Sequence, residues 1–228
     1  TEDGKKVASS KITVMPDFGG GIWGDDQGQV TRPGSGGTDG EDAATEGNRA
    51  PGQVTGLRAA KQTTKEIRLS WKADSQADSY RVYRYNSKKK SWTRIGTVKG
   101  TSYTDKKRKA GEKYQYRVEA VNENGTGEAS AVLKTAAKPA KPVLKLQKKG
   151  NGKVKLSWKK VNADKIEIFY KIGKKKYRKL KLVSAKKTSL LTGKLKKGKT
   201  YYFRVRAYTK NGKKVYGSYS KARKIVIS

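Results

Sequence analysis

The chain has 228 residues, 33% hydrophobic and 32% charged, enough for one mid-sized domain or two small ones and unsuited to a single large core. It has no His and no Cys, which excludes a Ser-His-Asp triad, a Cys nucleophile, a disulfide and any zinc, haem or iron–sulfur site using those ligands, so no cofactor is expected. Its 55 Lys and Arg against 19 Asp and Glu give a formal net charge of +36; binding or spacing is favoured over catalysis, with polyanionic partners.

The first 50 residues carry five basic and nine acidic side chains and are rich in Gly and Asp. Stretches such as Gly34-Ser35-Gly36-Gly37 lack periodic apolar residues, so 1–50 reads as a flexible linker. Within it, Ile12 and Val14 alternate across Val7 to Met15, as the last strand of an upstream domain would. Gly19, Gly21 and Gly24 satisfy G-x-G-x-x-G formally, but Asp25 and Asp26 stand where a pyrophosphate would need a helix N-terminus. Asp39 to Asp42 lacks the spaced oxygen ligands of a calcium loop. The start at Thr1, without a charged-then-apolar leader, reads as a piece of a longer protein. No apolar run is long enough to span a bilayer, so membrane insertion is not expected.

Beyond Pro51 the chain repeats itself. Leu69-Ser70-Trp71 recurs as Leu156-Ser157-Trp158, Tyr114 to Ala120 as Tyr201 to Ala207, and Asn124-Gly125 as Asn211-Gly212, each at an offset of 87. Ala77-Asp78 recurs as Ala163-Asp164 at 86. Two copies of one fold follow, 51–137 and 138–228, aligned with a one-residue slip. The apolar period in both is two. Ile67, Leu69 and Trp71, or Val154, Leu156 and Trp158, line one face of a strand; Tyr80 and Val82, or Ile166 and Ile168, line the next. Tyr114, Tyr116, Val118 and Ala120 alternate in the same way, as do Tyr201, Phe203, Val205 and Ala207. The Asn-Gly pairs follow the longest strands, where a hairpin turn needs positive φ. An all-β protein results, each copy a sandwich of about seven strands.

Both copies resemble fibronectin type III domains, an immunoglobulin-like family. The resemblance implies that Trp71 and Trp158 fill the cores and that Tyr114 and Tyr201 make the tyrosine corner, all four being structural core residues. Pro51 before Val54 to Leu57, and Pro142 before Val143-Leu144, match the family's Pro-led first strand. Leu195 matches the Leu expected six residues before the corner Tyr, whereas the first copy has Arg108, which loosens the expected packing there. The family implies a binding or spacer module, without fixing its function; its Arg-Gly-Asp attachment tripeptide is absent. Lys-rich tandem copies behind a Gly/Asp linker are similar to C-terminal parts of secreted or cell-surface Gram-positive bacterial proteins, which implies an extracellular, monomeric module.

The charge is concentrated at the end of the chain: 51–136 carries 19 basic and eight acidic residues, and 137–228 carries 31 and two. Lys153 and Lys155 take outward strand positions and Lys174, Lys175 and Lys176 a turn, and Lys196, Lys197, Lys213 and Lys214 add to the same diffuse field. Solubility and shielding of strand edges account for some of these. The excess points to diffuse contact with an anionic wall or surface polymer such as teichoic acid. Only Arg178, Arg204, Arg206 and Arg223 are Arg in this segment, which argues against sequence-specific nucleic-acid recognition. Trp92, Tyr85, Tyr177 and Tyr216 could stack on bases or sugars if exposed. Asp164 and Glu167 are unsuited to paired acid–base work on one strand. The alternative function is a protein or glycan ligand held by the loops at one end of a sandwich, accessory to an upstream catalytic domain.

Overall fold

The computed structural model describes residues 49–228. The expected linker, the Val7 to Met15 strand, the Gly19 to Gly24 tract and the Asp39 to Asp42 cluster lie outside the described residues.

The first half runs β1 (Arg58–Gln62), β2 (Ile67–Ser70), β3 (Ser79–Asn86), β4 (Ser91–Val98), β5 (Ser102–Asp105), β6 (Lys113–Asn122), β7 (Gly125–Thr126) and β8 (Leu133–Ala136). One sheet has the order β1-β2-β5 and the other β4-β3-β6-β7, with β8 also on β6. Because successive strand residues point to opposite faces, Ile67, Leu69 and Trp71 bury against Tyr80, Val82, Tyr116, Val118 and Ala120. The second half repeats this with β9 (Leu144–Lys149), β10 (Lys153–Trp158), β11 (Lys165–Ile172), β12 (Arg178–Ser184), β13 (Ser189–Leu191), β14 (Thr200–Asn211), β15 (Lys213–Tyr216) and β16 (Arg223–Val226). Its orders are β13-β10-β9 and β12-β11-β14-β15, with β16 on β14. All pairings are antiparallel.

The last strand of each sandwich is broken in two. Between β7 and β8, Ser130 gives its N–H to Val118 O and accepts the Val118 N–H on Oγ. Ser220 does the same for Val205. A side chain thus keeps backbone groups of the long central strand paired where the edge strand turns away. Counting β7 with β8, and β15 with β16, as one strand each gives seven per sandwich.

Three local expectations are corrected. Regular pairing of the first strand begins at Arg58, although Lys72 N–H still reaches Thr55 O. Asn124-Gly125 is not the turn of its hairpin: Glu123 and Asn124 occupy it, and Gly125 already pairs with Asn122. In the second copy Asn211 pairs with Lys213 and Gly212 alone is the tip, at φ +71°. Tyr114, expected in the core, is half-buried, whereas Trp71, Trp158 and Tyr201 are buried. Arg108 explains the difference. Its guanidinium lies 5.2 Å from the Tyr114 ring centre and its Nε 3.3 Å from Asp105 Oδ1, so a charged group stands where Leu195 packs on the second core. Both corner hydroxyls still accept an upstream backbone N–H, Tyr114 from Lys109 and Tyr201 from Lys196.

The cores also differ in chemistry. Asp105 is buried beneath both sheets of the first sandwich, with each oxygen 2.9 Å from Arg84 Nη1 and Oδ2 accepting the Tyr116 hydroxyl at 2.7 Å. Burial first, then the Asp105 charge, push the Tyr116 phenol far above its ordinary range, so it stays a donor. The second copy has Tyr170, Thr192 and Phe203 at these positions, and Tyr170 packs on Tyr201 and Phe203 at 6.4 Å.

The two sandwiches meet end to end. Asn211 Nδ2 donates to Tyr114 O and Thr135 O, Thr209 Oγ1 to Gly111 O, and Asn162 Nδ2 to Ala110 O. Lys113 Nζ lies 3.1 Å from Asp164 Oδ1. Gly111, at φ +73°, sits so close that a Cβ there would overlap the Asn162 carbonyl.

Candidate polyanion-binding surface

The sandwich topology sorts the expected lysines by position. Leu195 N–H donates to Gly152 O and Gly173 N–H to Thr200 O. These bonds bring the β9–β10 turn, the β11–β12 turn and the β13–β14 loop to one end of the second sandwich, away from the joint. Lys153, Lys174, Lys175, Lys176, Lys196 and Lys197 are exposed there. Neither acidic residue of this sandwich, Asp164 or Glu167, lies in those segments. Lys155 points outward from the middle of β10. Lys213 and Lys214 are exposed on β15 beside the joint, at the opposite end.

A second cationic feature lies on the outer face of the β12-β11-β14-β15 sheet. Alternation along β14 turns Tyr202, Arg204 and Arg206 outward, while Tyr201, Phe203, Val205 and Ala207 fill the core. The Arg204 guanidinium stacks on Tyr177 at 3.9 Å and on Tyr219 at 3.8 Å, with Phe169 at 5.9 Å. Arg206 stacks on Tyr216 at 4.1 Å and its Nε lies 2.7 Å from Glu167 Oε2, whose Oε1 takes Lys179 Nζ at 2.8 Å. Lys171 Nζ lies 4.9 Å from the Tyr202 ring centre. Each such cation–π contact contributes about 0.5–1 kcal/mol where exposed and more where water is excluded.

The first sandwich has the same cradle with a different charge. Arg117, 87 positions before Arg204, sits 5.1 Å from the Tyr83 ring and 4.9 Å from the Trp92 ring. Its Nη2 is 3.2 Å from Glu119 Oε1. Glu119 faces Arg81 across the strands; in the second copy the corresponding pair is Arg206 opposite Glu167, with the signs exchanged.

Tyr177, Tyr216, Trp92 and Tyr85, considered as exposed stacking groups, are half-buried. The first three lie against arginines, and Tyr85 meets Trp92 edge-on at 5.4 Å. Strand alternation alone could have placed Arg204 and Tyr202 on one face; pairing with Tyr177 and Tyr219 depends on a turn and an edge strand that carry no such signal.

Both carboxylates of the second sandwich are held ionised. Burial opposes charge on Glu167, but hydrogen bonds from Lys179 and Arg206 outweigh it and pull its pKa below the usual carboxylate range. Burial likewise opposes charge on Asp164 and is outweighed by the Lys210 N–H and the Lys113 ammonium. A general acid at neutral pH needs the opposite displacement. Among the described residues no group of three or more Asp or Glu is placed to hold a metal ion.

The chain is similar to a poly(3-hydroxybutyrate) depolymerase from Ralstonia pickettii, 38% identical over 38% of this chain and 17% of that protein. An alpha-amylase from Niallia circulans is 33% identical over 40% of this chain and 7% of its own length. The chain therefore spans a small fraction of these curated relatives. A two-domain fibronectin type III segment of chicken tenascin matches in structure, with a TM-score of 0.52 at 18% identity, covering 78% of this chain and 99% of the segment; that likeness concerns the fold. Residues 52–136 match the fibronectin type III domain family, and the second sandwich repeats their strand order, so the described residues fold as two sandwiches of the fibronectin type III kind in tandem.

Proposed function

We propose that this chain is a non-catalytic, extracellular spacer and adhesion module, monomeric, whose second sandwich contacts anionic polymers such as cell-wall teichoic acid. The observation that carries the reading is the gathering of Lys153, at the start of β10, with Lys174, Lys175, Lys176, Lys196 and Lys197 on loops at the end of the second sandwich remote from the joint. Lysines attract as point charges and impose little geometry, which suits a flexible polymer. The relatives support an accessory role beside a catalytic domain, since the matched portion is a small part of a depolymerase and of an amylase. Their names also favour a second reading, in which the loops hold a neutral polymer for an attached enzyme.

Changing Lys174, Lys175, Lys176, Lys196 and Lys197 to Gln in the full chain tests both. A Lys beside an anionic surface contributes on the order of 1 kcal/mol, so co-sedimentation with teichoic-acid-bearing walls should weaken by orders of magnitude. Wild-type binding should also fall steeply with salt. Unchanged binding by the variant, or wild-type binding indifferent to salt, would show that the lysines serve solubility.

A further inference from the structure

The two copies build one cradle and fill it differently. At Arg117 and Arg204 a guanidinium occupies the same register, opposite Tyr83 in one sandwich and Phe169 in the other, and lies against two further rings or one large one. In the first sandwich the carboxylate of Glu119, two residues along on the same face, closes it at 3.2 Å. In the second that position is Arg206, and the acid has moved to Glu167, where Arg206 and Lys179 engage it. Arg204 is left with no ion pair among the described residues; its Nε is buried without an acceptor, as is that of Arg117, which Glu119 meets at Nη2 alone.

We infer that the Arg204 cradle is a binding site for the carboxylate of an acidic polysaccharide. The first sandwich identifies the ligand's chemistry, because the group that pairs with the equivalent arginine, at its Nη2, is a carboxylate. A planar guanidinium held between phenol rings offers parallel N–H donors to a planar acid. Lys171, Lys179 and Arg206 surround it with positive charge, Glu167 being the one acid on this face among the described residues. Tyr177, Tyr202, Tyr216 and Tyr219 add half-buried rings with polar tips, surfaces on which a pyranose can pack beside its carboxylate. Glu119 thus acts as a built-in ligand in one copy, and its replacement leaves the other copy open.

The site borrows Tyr177 from the turn that carries Lys174, Lys175 and Lys176 but differs from the lysine loops in chemistry, so charge removal on the loops and loss of the stacked arginine can be compared. The probe is an oligogalacturonate, with its methyl ester and poly-glutamate as comparisons, titrated into the full chain by calorimetry and followed at the arginine Nε–H resonances. Charge-assisted hydrogen bonds of this kind predict a loss of roughly tenfold or more for Arg204→Lys, which keeps the charge and removes the planar stack. The paired exchange Glu167→Arg with Arg206→Glu, which copies the first sandwich, should close the site to a similar degree. Glu119→Gln should open the Arg117 cradle and raise the stoichiometry from one to two without touching the second sandwich. The lysine-loop variant should retain the stoichiometry and the Arg204 Nε–H shift. Arg204→Lys binding as well as wild type, the methyl ester binding as well as the acid, or no added site in Glu119→Gln would each overturn the inference. Equal binding of poly-glutamate would overturn its polysaccharide part.

Discussion

Trp71 and Trp158 occupy the same core position, with the same 5% exposure, but their indole N–H groups have different surroundings. Trp158 Nε1 donates to Lys187 O at 3.0 Å, while Trp71 Nε1 is buried without an acceptor. Truncating either to Ala should cost about 3–5 kcal/mol. Replacement by Phe separates them. At Trp158 a hydrogen bond is lost, and at Trp71 an unsatisfied donor is removed, so Trp158→Phe should destabilise its sandwich by about 1 kcal/mol more than Trp71→Phe does its own. Hydrogen exchange of β2 and β10 amides in the full chain measures the two separately. Equal losses would show that the indole N–H is energetically silent. The two Trp positions were legible because an aromatic at the end of an alternating triplet has one place to go. Asp105 was not. Nothing in its neighbours tells a buried carboxylate from a surface one until β3 and β6 bring Arg84 and Tyr116 to it.

Strand alternation along β6 and β14 made the fold readable, since a period of two assigns every second side chain to the core. The same alternation left the outer face undetermined: Glu119, Arg206 and Glu167 alternate with core residues, and their partners come from neighbouring strands. The repeat slips more than once, against the single slip expected: equivalent residues stand 87 apart on β2 and β10, 86 on β3 and β11, 85 on β4 and β12, and 87 again on β5 and β13, each change falling between strands where it disturbs no register. Glu167 gives this face a pH signature. Its pKa in the folded chain lies below its unfolded value, so its stabilisation is present above the unfolded carboxylate pKa, about 4.3, and is lost as pH falls through the folded value. Asp164 at the joint has the same sign. Stability of the second sandwich should therefore be flat near neutrality and decline below about pH 4. The decline should be shallower in Glu167→Gln; an identical acid limb in that variant would show the ion pairs contribute nothing.

At the scale of the molecule, the repeat announced two bodies but not how they meet. Asn211 belonged to an Asn-Gly pair that a hairpin explains, and its two bonds to Tyr114 O and Thr135 O are invisible without the neighbour. Independent motion is the ordinary expectation for tandem domains, and this joint opposes it with four hydrogen bonds and the Lys113–Asp164 pair. Gly111→Ala should force the ends apart while leaving both sandwiches folded, because the added Cβ meets backbone that cannot yield. Residual dipolar couplings would then report two alignment tensors where the wild type gives one; a single tensor in the variant would mean the contact tolerates the methyl group. Apart from the Lys113–Asp164 pair, the bonds across this joint also run one way. Ala110, Gly111, Tyr114 and Thr135 contribute only main-chain carbonyls, whereas Asn162, Thr209 and Asn211 contribute side chains. In the vocabulary of interchangeable parts, the upstream module is a socket of nearly anonymous backbone and the downstream module a keyed plug. Shuffling can therefore exchange the upstream copy for any relative that keeps the glycine turn and a cation at Lys113, while the downstream copy carries with it most of the instructions for how the pair is joined.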